Sequence, residues 1–378
     1  LGVEGKVDNE AGANIIIRGD GAGDDTDLTD YYFVGDTTTN IMIDNGSIST
    51  DWVGSSNYAG NLIIGSGTFR SQEGSTNKCN NLTVATGATL DADNDTITVA
   101  GDFTTSGGLL GASCMDQGIT ATRSDAADAL RISGDRTIEF WFKHNSGNRP
   151  SAGNHMNLVW KNNYGYSVRL DENGKIDAGI ISGASTNVVS ATAVDDGKWH
   201  HIAWVFDENT ADTGHKIYID GKLDAQATSG AGNTGSGVTF TVGTGTANSY
   251  MDEVRLWDDV RTQTEIRANM FTEVTSGAIA VYNFNEGTGG TAADAIGSLD
   301  LTLSTSGEWP ASGTFTKGTD STVNMTGANG KMYLGATGYE FENLGLAPSG
   351  GTTTLTKVGD HGTLRVYKTL THNGGTFA

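Results

Sequence analysis

The chain has 378 residues, with 45 Asp and Glu against 23 Lys and Arg, for a net charge of −22. Such a surface repels phosphate backbones and anionic lipids, which excludes nucleic-acid partners. No apolar run approaches the ~18–20 residues that span a bilayer, so no membrane insertion is expected.

The 54 Gly and 3 Pro, set among Thr, Asn and Asp, predict many short strands joined by tight turns. The length predicts two or three structural units. The first residue is Leu1, and no charged-then-apolar signal segment follows it. The sequence therefore reads as a processed chain or a piece of a longer one. Cys79 and Cys114 are the only cysteines. They allow one disulfide, but spacing alone does not bring two Cβ atoms within bonding reach, and two unrelated buried thiols is the preferred reading.

The first distinctive stretch, Asp20 to Asp30, reads DGAGDDTDLTD. It lacks the ordered ligand spacing and terminal Glu of an EF-hand, so it reads as a solvated acidic loop, with a weak Ca²⁺ site as the alternative. Short alternating strands follow at Asn61-Leu62-Ile63-Ile64 and Asn81-Leu82-Thr83-Val84, and a similar one returns far downstream at Asn343-Leu344-Gly345-Leu346. Thr96 to Gly108 (TITVAGDFTTSGG) and Thr363 to Gly375 (TLRVYKTLTHNGG) align without gaps. Apolar positions and Gly or Asn corners that recur together predict stacked coils of a β-solenoid, with Leu82, Val84, Ile97, Val99, Leu364 and Val366 turned inward. Ordinary hairpins with coincidental similarity are the alternative.

Between about Met115 and Gly307 the strands lengthen and acquire Trp and Tyr. Thr137 to Lys143, TIEFWFK, places Ile138, Phe140 and Phe142 on one face. Asp196 to Phe206, DGKWHHIAWVF, does the same with His200, Ile202, Trp204 and Phe206. Lys216 to Leu223, KIYIDGKL, is a hairpin turning at Asp220-Gly221. Met251 to Trp257, MDEVRLW, is a further strand. Thr262-Gln263-Thr264-Glu265 fits a capping box opening a helix that Ile266 and Met270 pack down. Ala278 to Phe284, AIAVYNF, closes the segment before Asn285-Glu286-Gly287.

These six stretches, in this order, resemble the laminin-G-like and pentraxin-like branch of the concanavalin-A-like jelly rolls. The resemblance implies an all-β fold, an antiparallel sandwich whose rim loops often bind Ca²⁺ and sugars or proteins. Jelly-roll ends emerge close together, so such a domain inserts readily into another fold. The expected layout is a β-rich solenoid-like segment at 1–114, a laminin-G-like domain at 115–307, and a continuation of the solenoid at 308–378.

Glycoside hydrolysis needs two carboxylates held ~5–9 Å apart. The Glu-x-Asp-x-x-Glu pattern of the retaining glucanases of this fold is absent from the sequence. Asp252-Glu253 is expected to alternate across the sheet faces, with Arg255 pairing to a neighbouring carboxylate. His200 and His201, adjacent on a strand, point to opposite faces and do not converge on one ion. No enzymatic activity is expected.

Sugar binding uses an aromatic ring for the apolar sugar face and amides for the hydroxyls. Trp160-Lys161-Asn162-Asn163-Tyr164 has that composition and is expected to form a loop, making Trp160, Asn162, Asn163 and Tyr164 the candidate ligand residues, although Trp160 as a core residue is the competing reading. Ca²⁺ is the one cofactor considered, through the resemblance, with no ligands assigned. The repeats around a laminin-G-like insertion look like bacteriophage virion proteins: a fibre, spike or head-decoration protein at the virion surface that meets a glycan or protein receptor and other copies or structural proteins of an assembly. A secreted bacterial adhesin or filament module, extracellular or at the cell surface, is the alternative, and a glycan hydrolase the third.

Overall fold

The computed structural model describes residues 5–8, 14–18, 26–27, 31–34, 39–52, 60–71, 76–125, 127–161, 165–180, 187–210, 212–228, 239–243, 249–305, 309, 314–317, 319, 321–326, 331–334, 339–346, 352–357, 364–372 and 376–377. The chain divides into two compact units, one made of Leu1–Ser113 with Pro310–Ala378, the other of Cys114–Trp309.

In the first unit every described strand pairing is parallel. One row of apolar side chains runs across neighbouring strands in register. Ile15 faces Ile41, then Leu62, Leu82, Phe103 and Met332 follow in turn. A second sheet carries Ile97, Val323, Leu344 and Leu370 in the same way. Phe103 and Met332 are neighbours, so strands before and after the inserted unit share one sheet.

Strands such as Thr96–Val99 and Thr322–Met325 alternate their burial because successive side chains leave opposite faces. Leu82, Val84, Ile97 and Val99 are fully buried, while Leu364 and Val366 are half-buried. Phe103, Phe315 and Phe341 pack edge-on and tilted against one another in this core.

A polar ladder accompanies the apolar rows. The Asn40 amide donates to Asn14 Oδ1 at 2.8 Å, the Asn61 amide to Asn40 Oδ1 at 2.9 Å, and the Asn80 and Asn81 amides to Asn61 Oδ1 at 3.0 Å. An amide carries both donor and acceptor, so each Asn can serve the strand on either side of it. The sequence pairing of Asn81 with Asn343 does not carry over into space. Asn81-Leu82 lies in the sheet of Phe103, whereas Asn343-Leu344 lies in the sheet of Ile97. Similar Asn-Leu text therefore serves two different walls.

The second unit is an antiparallel sandwich. One sheet orders its strands Met115–Asp116, Ser249–Trp257, Arg136–Asn145, Asp196–Phe206, His215–Ile219 and Lys222–Ala227, with Ala280–Tyr282 beside Ser249–Trp257. The facing sheet orders Asn187–Ala193, Lys175–Ile180, Tyr166–Leu170, Met156–Lys161, Thr239–Val242, Ala121–Ser124, Leu301–Leu303 and Thr291–Ala292. Ile138, Phe140, Phe142, Ile202, Trp204 and Phe206 from the first meet Leu158, Val168 and Phe240 from the second in one core.

The hairpin turn falls at Asp220 and Gly221, with φ of 53° and 70°, the two positive values a tight two-residue hairpin needs. The Gln263–Asn269 helix opens with the complete Thr262–Glu265 capping box. The closing strand is shorter than expected, Ala280–Tyr282. The acidic stretch from Asp20 to Asp30 lies outside the described residues except for Thr26–Asp27. Cys79 and Cys114 are both buried free thiols.

Candidate functional site

The expected loop Trp160-Lys161-Asn162-Asn163-Tyr164 is corrected at its start: Trp160 and Lys161 are the last residues of the strand Met156–Lys161. A bulge lies between Asn157 and Val159, where the pairing with Tyr166–Leu170 shifts register. An extra residue in one strand reverses the alternation beyond it. Leu158 and Val159 are therefore both buried, and Asn157 and Trp160, three residues apart, both leave the core and stay half-buried. Lys161 then points inward and makes a buried ion pair with Asp125 at 2.5 Å. Asp125 also accepts the backbone N–H groups of Ala129 and Leu130, so both of its oxygens are engaged. Asn162, Asn163 and Tyr164 lie outside the described residues.

Trp160 sits in an open cleft of about 420 Å³ whose walls include Arg149, His155, Asn157 and Thr241. Thr241 is its direct cross-strand neighbour on one side and Ser167 on the other. Arg149 follows the Ser146–Asn148 turn, and its Nε donates to the Asp195 carboxylate, a hydrogen bond that raises the guanidinium above its ordinary pKa. His155 Nε2 is 3.0 Å from Asp177 Oδ2, which also accepts from Arg169 Nη2 at 2.7 Å. Asp177 is 7% exposed, and among the described residues its Oδ1 and Arg169 Nε have no partner. Both carboxylates thus bond to side chains that line the cleft, Asp195 to Arg149 and Asp177 to His155. An aromatic face, an amide, a hydroxyl, a guanidinium and an imidazole thus share the cleft wall.

Of these residues the sequence reading named Trp160 and missed Arg149, His155, Asn157 and Thr241. A signal was present: Asn148, Arg149, Asn154, His155 and Asn157 crowd into the ten residues preceding Leu158, an amide and basic cluster opening onto an aromatic strand.

The acidic residues of MDEVRLW occupy a different place. Glu253 has φ of 53° at a second bulge, which breaks the strict alternation expected of Asp252-Glu253. Arg255 Nη2 donates to Glu253 Oε2 at 2.9 Å, and the Trp257 indole donates to Glu139 Oε1 at 3.0 Å. All four are buried. His201 Nε2 stands 3.6 Å from Glu139, whereas His200 bonds Asp220 and Asp196 from the opposite face. Among the described residues no group of three or more His, Cys, Asp or Glu is arranged to hold a metal ion.

The match to known families covers this same unit. Residues 116–267 match the laminin G type model of the concanavalin A-like lectin/glucanases superfamily. No curated protein matches the chain. Among solved structures, a protein designated as carbohydrate-binding from Bacteroides ovatus ATCC 8483 is 16% identical with a TM-score of 0.40, over 51% of this chain and 57% of that one. The binding domain of Paraclostridial Mosquitocidal Protein 1 is 15% identical with a TM-score of 0.32, over 38% of each chain. The binding domain of botulinum neurotoxin DC in complex with SialylT is 15% identical with a TM-score of 0.33, over 40% of this chain and 39% of that one. The chain thus spans less than two thirds of the length of each.

Proposed function

We propose that the Cys114–Trp309 unit is a glycan-binding module and that the chain is a non-catalytic structural and adhesion protein presenting it. The cleft around Trp160 carries the reading: an outward aromatic ring, re-aimed by a bulge, stands among Asn157, Thr241, Arg149 and His155. No Asp or Glu lines the cleft among the described residues, and the carboxylates of Glu139 and Glu253 are held by Arg255 and closed to solvent. The match of residues 116–267 to a lectin and glucanase superfamily supports the binding reading.

The parallel-paired strands of the other unit support a reading as a repetitive solenoid stalk, as in a virion fibre, spike or decoration protein, with the module at a virion or cell surface as the proposed location. A glycan array probed with the full chain tests the function. Binding that weakens about tenfold or more in Trp160→Ala is expected; binding unchanged in that variant, or no binding to any glycan, overturns the reading. A chelator arm on the same array reports whether a rim Ca²⁺ takes part.

A further inference from the structure

We infer that the ligand of the Trp160 cleft is an anionic glycan, bearing carboxylate or sulfate groups, with its charged group held between Arg149 and His155. The inference rests on the glycan reading above and adds the sign of the charge. The chain carries 45 acidic residues against 23 Lys and Arg, yet the described cleft wall holds Arg149 and His155 and no carboxylate. That is the reverse of the average surface.

Two acids stand next to these side chains, but each is engaged by a side-chain nitrogen. Asp195 takes Arg149 Nε, and Asp177 takes His155 Nε2 together with Arg169 Nη2. A guanidinium held through Nε keeps its outer amino groups for a second acceptor. Such a group, already oriented, gives up little side-chain freedom when an anion arrives. Trp160 and Asn157 lie beside it to take the apolar face and a hydroxyl of the same sugar. Because the whole molecule is strongly negative, a polyanion gains nothing from non-specific attraction, and retention on one must come from a local site.

The test uses two matched pairs of polymers in affinity electrophoresis of the full chain: polygalacturonate against its carboxyl-reduced form, and dextran sulfate against dextran. Retention by at least one anionic member, about tenfold or more stronger than by its neutral match, is expected. Which pair responds identifies carboxylate or sulfate. Arg149→Gln, at an exposed position, should abolish the preference for charge, and His155→Gln should reduce it independently. Equal or stronger retention by the neutral members overturns the anionic inference and leaves the glycan reading standing. No retention by any polymer, with the array also blank, removes both. Retention by the anions that survives in Arg149→Gln, His155→Gln and Trp160→Ala together overturns the assignment to this cleft.

Discussion

Arg255 is fully buried beneath the Gln263–Asn269 helix, where it holds Glu253 and donates to the carbonyls of Asn269 and Thr272 at 2.9 and 2.6 Å. Removing one partner of a buried pair strands the other charge, so Arg255→Ala should cost about 3–5 kcal/mol, read by denaturant unfolding. The same cluster gives stability a signature in pH. Burial lowers His201 from its ordinary 6.5 to about 3 and raises Glu253 from 4.5 to about 7. The unfolded histidine takes up a proton that the folded one refuses, so this contribution is full above about pH 6.5 and is lost as pH falls toward 3. Glu253 acts in the other direction, its contribution being full below about pH 4.5 and lost as pH rises through 7. Whatever the offset from losing Arg255's partner, the melting temperature of Glu253→Gln relative to the parent protein should rise as pH goes from about 5 to 8. His201→Gln should gain as pH falls from about 6.5 to 4. Parallel melting-temperature profiles would contradict both assignments.

The residue scale was legible where a side chain has one way to be satisfied, and opaque where a bulge intervened. The separation of His200 and His201 onto opposite faces follows from strand geometry alone, as does Arg255 finding a carboxylate. Trp160 was singled out for its chemistry but placed in a loop. The run Leu158-Val159-Trp160 holds three apolar residues in succession, and period-two reading cannot say which of them an extra residue will turn outward.

At the scale of elements, the one α-helix among the described residues, Gln263–Asn269, shows why its boundaries were readable. Its first turn is closed by the Thr262 hydroxyl on the Glu265 N–H and the Glu265 carboxylate on the Thr262 N–H. At the far end its carbonyls are taken by Arg255 and by the Trp141 indole, which donates to Met270 O at 2.6 Å. The first interaction is local and is written in four consecutive residues; the second reaches back 14 positions to Arg255 and 129 to Trp141 and leaves no mark in the sequence. Thr262→Ala should cost about 1 kcal/mol, a lowering of the melting temperature by differential scanning calorimetry without change in glycan binding. Gly221 is similarly legible, since a β-carbon there would meet Arg267 Cγ at 2.6 Å and φ is already +70°.

For the whole molecule, the two units rest on different physics. The Cys114–Trp309 unit is held by one continuous apolar core between its sheets, and the other by in-register apolar rows and the Asn ladder. Asn61 sits in the middle of that ladder, donating to Asn40 and accepting from Asn80 and Asn81. Asn61→Ala should cost about 1–3 kcal/mol in its own unit. Six of the seven tryptophans, all but Trp52, belong to the Cys114–Trp309 unit. The substitution should therefore lower a far-ultraviolet circular dichroism transition while leaving the tryptophan fluorescence transition in place. Recurrent Asn-Leu text announced this repetition, but the choice of wall for each copy depends on how the chain turns between strands, which short motifs do not record.

The central claim is that a ligand meets the molecule at Trp160. Indole N–H resonances of the 15N-labelled protein, with Trp160 assigned through Trp160→Phe, measure this directly while a bound glycan is titrated. The Trp160 signal should shift while those of the buried Trp141, Trp199 and Trp204 stay still. A titration in which Trp160 does not move while the glycan binds would contradict it.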